Sequence, residues 1–139
     1  MSMRRGLRQQ IAARSRSRCS YCLTREELLN EPLQVDHILP KAKGGAKVES
    51  NLCLACSSCN RFKAAQTYAR DPFTKALVPL FNPNTESWFE HFRWSEDGTE
   101  IIGQTSTGRA TVVALSLNNF CASRARALWV WMRWHPPSA

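Results

Sequence analysis

The sequence predicts an α+β protein in two parts, a small metal-stapled first half and a C-terminal α+β extension. Three observations predict it. Two C-x2-C knuckles, Cys19-Ser-Tyr-Cys22 and Cys56-Ser-Ser-Cys59, stand 33 residues apart and enclose the order strand, loop, strand, helix. The 139-residue chain has a net charge of +8, and the excess lies in one half: residues 1–70 hold 13 basic and 5 acidic side chains, residues 71–139 hold 6 and 6. All five tryptophans lie at or after Trp88, so the second half is expected to supply the larger apolar core while the first relies on metal.

Each element has a local reason. Arg4 to Arg18 lacks proline, is rich in helix formers and carries Leu7, Ile11 and Ala12 on one face; it reads as a basic N-terminal helix or arm over residues 1–18. Thr24-Arg-Glu-Glu has the form of a capping box, with Thr24 as cap and Glu27 three residues on. Leu33-Gln-Val-Asp-His-Ile is a short β run that stops at Pro40. Residues 41–50 hold three lysines and Gly44-Gly45 and form an exposed loop, and Asn51–Ala55 returns as a second strand. Asn60 to Ala69, free of Gly and Pro, suits a helix. Domain boundaries are therefore expected at 18/19 and 70/71, with residues 71–139 packed on the core. In that extension Trp88–Trp94 reads as a strand, Glu96-Asp-Gly98 as a hairpin turn, and Glu100-Ile-Ile-Gly as the returning strand. Thr107–Leu117 and Ala122–Arg133 read as helices, the last with Ala125, Leu128, Trp131 and Met132 on a common side.

Composition excludes several classes. A hydrophobic content of 43% argues against wholesale disorder. No apolar run approaches the roughly 18 residues of a membrane span. The basic start leads into Leu7-Arg-Gln-Gln rather than an apolar stretch, so no secretory signal is read, and a cysteine pair as early as Cys19 argues against a transit peptide. The expectation is a soluble, cytoplasmic protein whose basic first half faces a polyanion.

Six cysteines lie at 19, 22, 53, 56, 59 and 121. No oxidising compartment is signalled, and the spacing of Cys19, Cys22, Cys56 and Cys59 is that of four thiolates around one structural Zn²⁺. A redox dithiol is the alternative. Cys53-x2-Cys56 is also a legal knuckle, but Cys53 lies in the apolar run of a strand and is read as a core thiol; Cys121 is read as a buried structural residue.

Between the knuckles, Asp36 and His37 sit at the end of a strand, Asn51 follows fourteen residues later, and Asn60 comes directly after the last knuckle cysteine. Adjacent side chains of a regular strand point to opposite faces, so Asp36 and His37 share a site only if the strand ends or kinks there, which Pro40 favours. The oxygen donors of Asp36 and Asn60 suit a Mg²⁺ that binds phosphate oxygens, and a neutral histidine suits a general base. Each residue has a plainer role beside this one: a turn cap for Asp36, a satisfied core imidazole for His37, a turn for Asn51 and a helix cap for Asn60. His91 and His135 lack ligand company and are read as structural.

The string from Cys19 to Lys63, with Cys-x2-Cys, Asp-His-Ile-x-Pro, Gly-Gly, Asn-Leu, Cys-x2-Cys-Asn and Lys in order, resembles the HNH endonucleases, and among them the zinc-knuckle-bearing members. The resemblance implies a ββα-metal core over residues 19–70 and hydrolysis of DNA phosphodiester bonds. It implies His37 as general base, Asp36 and Asn60 as ligands of a catalytic Mg²⁺ or Mn²⁺, Asn51 fixing the loop and the His37 ring, and the four knuckle cysteines on zinc. The final motif position is His in many members and Asn60 here. The tail strings Pro79-Leu-Phe-Asn-Pro, Glu90-His-Phe-x-Trp and Gly108-Arg-Ala-Thr resemble small stand-alone bacterial HNH proteins. Arg14, Arg16, Arg18, Lys41, Lys43, Lys47, Arg61 and Lys63 are the expected phosphate contacts. Partners are DNA and, since one such site cuts one strand, a second copy or a larger nuclease assembly. The rival is a zinc-stabilised DNA-binding or adaptor subunit without cleavage.

Overall fold

Leu52 to Ala55 is buried at every position, an all-apolar run with no solvent face, and the first unit forms around it. In the computed structural model, which describes residues 5–138, this strand (β2, Leu52–Ala55) pairs antiparallel with β1 (Gln34–His37). The register sets Asp36 opposite Cys53 and His37 opposite Leu52. Helix α1 (Arg5–Ser15) packs on β2, with Ile11 buried, and α2 (Ser57–Lys63) follows β2 and lies against both strands. The expected helix start at Arg4 lies outside the described residues.

Two arginines of α1 act as ties. Arg8 donates to the Leu33 carbonyl (2.9 Å), and Arg14 donates to the Leu52 carbonyl (2.8 Å) and pairs with Glu49. Asn84 reaches the Ser50 and Leu52 carbonyls from the segment Asn82–Thr85, which belongs to this unit together with the chain up to Thr67.

Two local expectations differ. Thr24 caps no helix: the turn after it is a single 3-10 turn, Glu26–Leu28, with Arg25 before it, and the buried Thr24 hydroxyl instead hydrogen-bonds with Cys22 Sγ (3.2 Å). The expected helix from Asn60 to Ala69 begins three residues earlier and ends at Lys63. Cys56 caps it, its sulfur accepting from the Cys59 N–H, so Asn60 stands inside the helix and not at its start.

The second unit comprises Tyr68–Phe81 and the chain from Glu86 onward. Its start at Tyr68 falls before the expected 70/71 boundary because β3 (Tyr68–Arg70) pairs with β4 (Leu77–Pro79) in this unit. A short helix α3 (Trp88–His91) replaces most of the strand expected at Trp88–Trp94. The remainder, β5 (Phe92–Trp94), pairs with β6 (Ile101–Gly103) across the turn at Glu96-Asp-Gly98. Asp97 organises that turn, accepting from the Thr99 N–H and hydroxyl and from Ser95. Helix α4 (Ser106–Ala114), capped by Thr105, and helix α5 (Phe120–Trp131), capped by Asn119, complete the unit.

The tail motifs are packing residues. Leu80 and Phe81 are buried, the Phe81 N–H donates to Thr111 Oγ1, and Phe81 meets Phe92 edge to face. Of the five tryptophans in this half, Trp88 is buried and Trp94 and Trp129 are half-buried, while Trp131 is 78% and Trp134 46% exposed. Helix α5 is turned so that Leu128, Trp131 and Met132, the expected inner side, face outward, and Arg126 is buried instead. The reason is hydrogen bonding. Arg126 donates to the carbonyls of Leu117 (2.6 Å) and Thr99 (3.1 Å) and to Asn118 Oδ1, satisfying groups left open at the end of α4 and at the hairpin. Cys121, expected inside, is exposed on the same helix. The first unit, expected to rely on metal, has an apolar core of its own in Ile11, Tyr21, Leu33, Leu52 and Leu54. No helix among the described residues is long and apolar enough to cross a membrane.

Candidate functional site

The two knuckles converge. Cys19, Cys22, Cys56 and Cys59 are buried, with their sulfurs all within 4.8 Å of one another. The Cys22 and Cys56 sulfurs are 3.8 Å apart, the edge expected of a tetrahedron with Zn–S bonds of about 2.3 Å. The turns aim them: the Cys22 N–H points at Cys19 Sγ (3.5 Å) and the Cys59 N–H at Cys56 Sγ (3.4 Å). Burial pushes the Cys19 thiol well up. Hydrogen bonds from its neighbours pull Cys22 well down, while those same contacts push Cys59 up. One thiolate can be solvated by three thiols, but four cannot coexist unless a cation joins them. The donor set, its burial and its spacing fit Zn²⁺. Cys53 stays outside the cluster, and burial followed by the Asp36 charge raises its thiol to about 12, so it remains protonated.

The strand end carries the second constellation. Asp36 faces inward, 5% exposed, and three groups hold its carboxylate: Tyr21 donates its hydroxyl to Oδ2 (2.7 Å), Lys63 Nζ lies 3.3 Å from both oxygens, and the Cys53 thiol approaches Oδ2 (3.8 Å). Burial, then the nearby Cys53 and Asp36, raise the Tyr21 phenol well above its ordinary value, so it acts as a donor. His37, the next residue, is half-buried; its carbonyl accepts from Lys63 (3.0 Å), and its ring has no hydrogen-bond partner among the described residues. Helix α2 brings Asn60 over the same strand, where Asn60 Nδ2 donates to Gln34 Oε1 (2.8 Å) and leaves the amide oxygen for another partner. The carboxylate and amide oxygens of Asp36 and Asn60 have the hard-donor chemistry of a Mg²⁺ or Mn²⁺ ligand set, and the ammonium of Lys63 is the cation that now neutralises Asp36.

Asn51 closes the loop between the strands. Its Oδ1 accepts from the Leu39 N–H (2.8 Å), and its Nδ2 donates to the carbonyls of Leu39 and Ala46, both at 3.0 Å. These bonds go to backbone and not to the His37 ring. Gly45 is required at this crossing, because a Cβ there would stand 1.7 Å from the Leu39 oxygen.

The expected phosphate contacts separate into two groups. Lys41, Lys43, Lys47 and Arg61 are exposed around the loop and α2, and Arg16 is exposed beside the first knuckle. Arg18 is lowered first by partial burial and then by the charges of Arg16 and Arg25, the mark of crowded cations. Arg14 is engaged with Leu52 and Glu49, and Lys63, expected on the surface, is 2% exposed because Asp36 draws its ammonium inward. Sequence reasoning overlooked Tyr21 and Gln34. Tyr21 stands between two cysteines, where the eye goes to the ligands, and Gln34 precedes the Asp-His pair by one strand period.

Residues 19–66 match the HNH endonuclease family, about a third of the chain and the segment holding all four clustered cysteines, Asp36, His37, Asn51 and Asn60; the cluster is consistent with a zinc-knuckle type. No curated protein and no solved structure matches the chain.

Proposed function

We propose that this protein is a divalent-metal-dependent DNA endonuclease in which the β1–β2 hairpin and α2 form a ββα-metal core stapled by zinc on Cys19, Cys22, Cys56 and Cys59. The observation that carries the reading is the placement of α2. It sets Asn60 and Lys63 over the strand that ends in Asp36 and His37, within the segment that matches a nuclease family. Asp36 and Asn60 would hold Mg²⁺ or Mn²⁺, which when bound supplies a Lewis acid for the phosphodiester and its leaving oxygen. His37 removes the proton of the attacking water through its half-buried ring, which no hydrogen bond from the described residues diverts. Asn51 and Gly45 hold the loop after His37 in one conformation, so the imidazole is presented from a fixed strand end. The exposed Lys41, Lys43, Lys47, Arg16 and Arg61 attract the phosphate backbone, and binding should weaken with salt as counterions are released.

One observation favours the adaptor reading: Lys63 already neutralises Asp36, and a chain that never exchanged this ammonium for a metal would bind DNA without cutting it. Nicking of supercoiled plasmid with Mg²⁺ or Mn²⁺ separates the two. Wild type should nick, and His37→Ala should keep its zinc and DNA affinity while cleavage falls by about 10²–10⁴-fold. DNA binding with no nicking by wild type under either metal would establish the adaptor, and undiminished cleavage by His37→Ala would remove His37 as base.

A further inference from the structure

Tyr21 belongs to the first zinc knuckle by sequence and to the Asp36 site by contact. The residue is 1% exposed and stands between the two knuckle cysteines in the chain, while its hydroxyl meets Asp36 and Cys53. The backbone on either side is fixed: the Ser20 N–H donates to the Leu54 carbonyl (2.8 Å), the Cys19 N–H to the Thr24 carbonyl (2.9 Å), and the Cys22 N–H points at Cys19 Sγ. The phenol therefore approaches Asp36 from a backbone held by hydrogen bonds on both sides, and from a ring that is itself buried. The other strong partner of Asp36 is of the opposite kind. Lys63 reaches it along a four-carbon stem, its Nζ 3.3 Å from both oxygens and 3.0 Å from the His37 carbonyl, as a point charge whose place another cation can take.

We infer that Tyr21 is a positioning residue: its hydroxyl fixes the orientation of the Asp36 carboxylate for the divalent ion, and so makes the zinc knuckle part of the support of the second metal site. This inference rests on the nuclease reading of Asp36. When Lys63 yields, the Tyr21 hydrogen bond still holds Oδ2, so the carboxylate keeps its rotamer and need not be reordered by the incoming ion. Partners of this kind behind a metal ligand typically change metal affinity about 10–100-fold when removed.

The test uses the zinc-loaded full chain. Mn²⁺ binding is followed by electron paramagnetic resonance without DNA, the relevant site being the one lost in Asp36→Asn. Tyr21→Phe should retain wild-type zinc and bind Mn²⁺ about 10-fold more weakly. Its nicking should show the same shift in half-saturating Mn²⁺, with a rate at saturation within about threefold of wild type, because His37 is untouched. A purely structural tyrosine would lower thermal stability without moving Mn²⁺ affinity, so unchanged affinity in a folded, zinc-bearing Tyr21→Phe overturns the inference. A wild-type measurement covers the case in which the variant does not fold. With the tyrosines labelled at ¹³Cζ, Mg²⁺ should shift the Tyr21 resonance together with the Asn60 side-chain amide, and movement of Asn60 alone overturns the inference. If wild type binds neither Mn²⁺ nor Mg²⁺ at Asp36, the metal reading falls and takes this inference with it. If His37→Ala cleaves normally, only the assignment of the base falls.

Discussion

Cys53 shows how much one residue's neighbours decide. By spacing it could pair with Cys56; by contact it belongs to Tyr21 and Asp36, opposite Asp36 in the β ladder and outside the four-sulfur cluster. Strand alternation accounts for this, since Cys53 points with Asp36 toward the interior under the first knuckle. Cys53→Ala should therefore retain zinc at the wild-type ratio and cost about 1–2 kcal/mol of packing. Cys59→Ser should lose zinc and unfold the first unit, because the cluster cannot hold its remaining thiolates together. Metal analysis after gel filtration reads both, and zinc loss in Cys53→Ala would reassign the knuckle.

At the scale of elements, two glycines let α4 lie backbone to backbone on its neighbours. A Cβ at Gly108 would stand 2.1 Å from the His91 carbonyl oxygen, and one at Gly103 would stand 2.4 Å from the Arg109 nitrogen. The approach brings Thr105, the cap of α4, within 2.6 Å of His91 Nδ1, and sets Thr111 where it accepts from the Phe81 N–H. Gly108→Ala should destabilise the second unit by about 3 kcal/mol, since neither opposing group is a side chain that can move aside. Urea unfolding followed by tryptophan fluorescence measures it, and a cost below about 0.5 kcal/mol would show that the helix can shift.

The molecule divides its stabilising chemistry between its units: the cysteine cluster lies in the first, all five tryptophans in the second. Tryptophan fluorescence therefore reports the second unit alone. There Asp71, buried at the start of a turn, accepts two bonds from Arg109 (2.9 and 2.8 Å) and further bonds from Phe73 N–H and Thr74. The Arg109 guanidinium, helped by those donors, holds its carboxyl well below the usual carboxylate range. A depressed native value means the unfolded chain takes up this proton first, at about pH 3.9. The contribution is complete above that pH and is lost as pH falls toward the native value. Wild-type melting read by tryptophan should fall below about pH 4, and Asp71→Asn, lower at neutral pH, should show a flatter acid limb. Equal acid slopes would remove Asp71 as the source.

Local chemistry and spacing make part of this molecule legible from its residues alone. Cys19, Cys22, Cys56 and Cys59 announce a shared centre because a C-x2-C turn points two sulfurs one way. The all-apolar run before Cys56 has to be a buried strand, and Glu96-Asp-Gly98 has to turn. The order of Asp36, His37, Asn51 and Asn60 between the knuckles was likewise legible, as a string. Tertiary structure decided which face each residue turns. Lys63 reads as a surface cation until Asp36 draws it inside, and Trp131 and Leu128 read as core until Arg126 takes the inner position to satisfy carbonyls from two other segments. Tyr21 carries no signal of its own, because its partner lies 15 residues away on a strand whose register is set by Cys53 and Leu54. Periodicity records how apolar a face is, but the free energy of an unsatisfied buried polar group is of the same size as that of a buried side chain, and it belongs to pairs of residues that only the fold brings together.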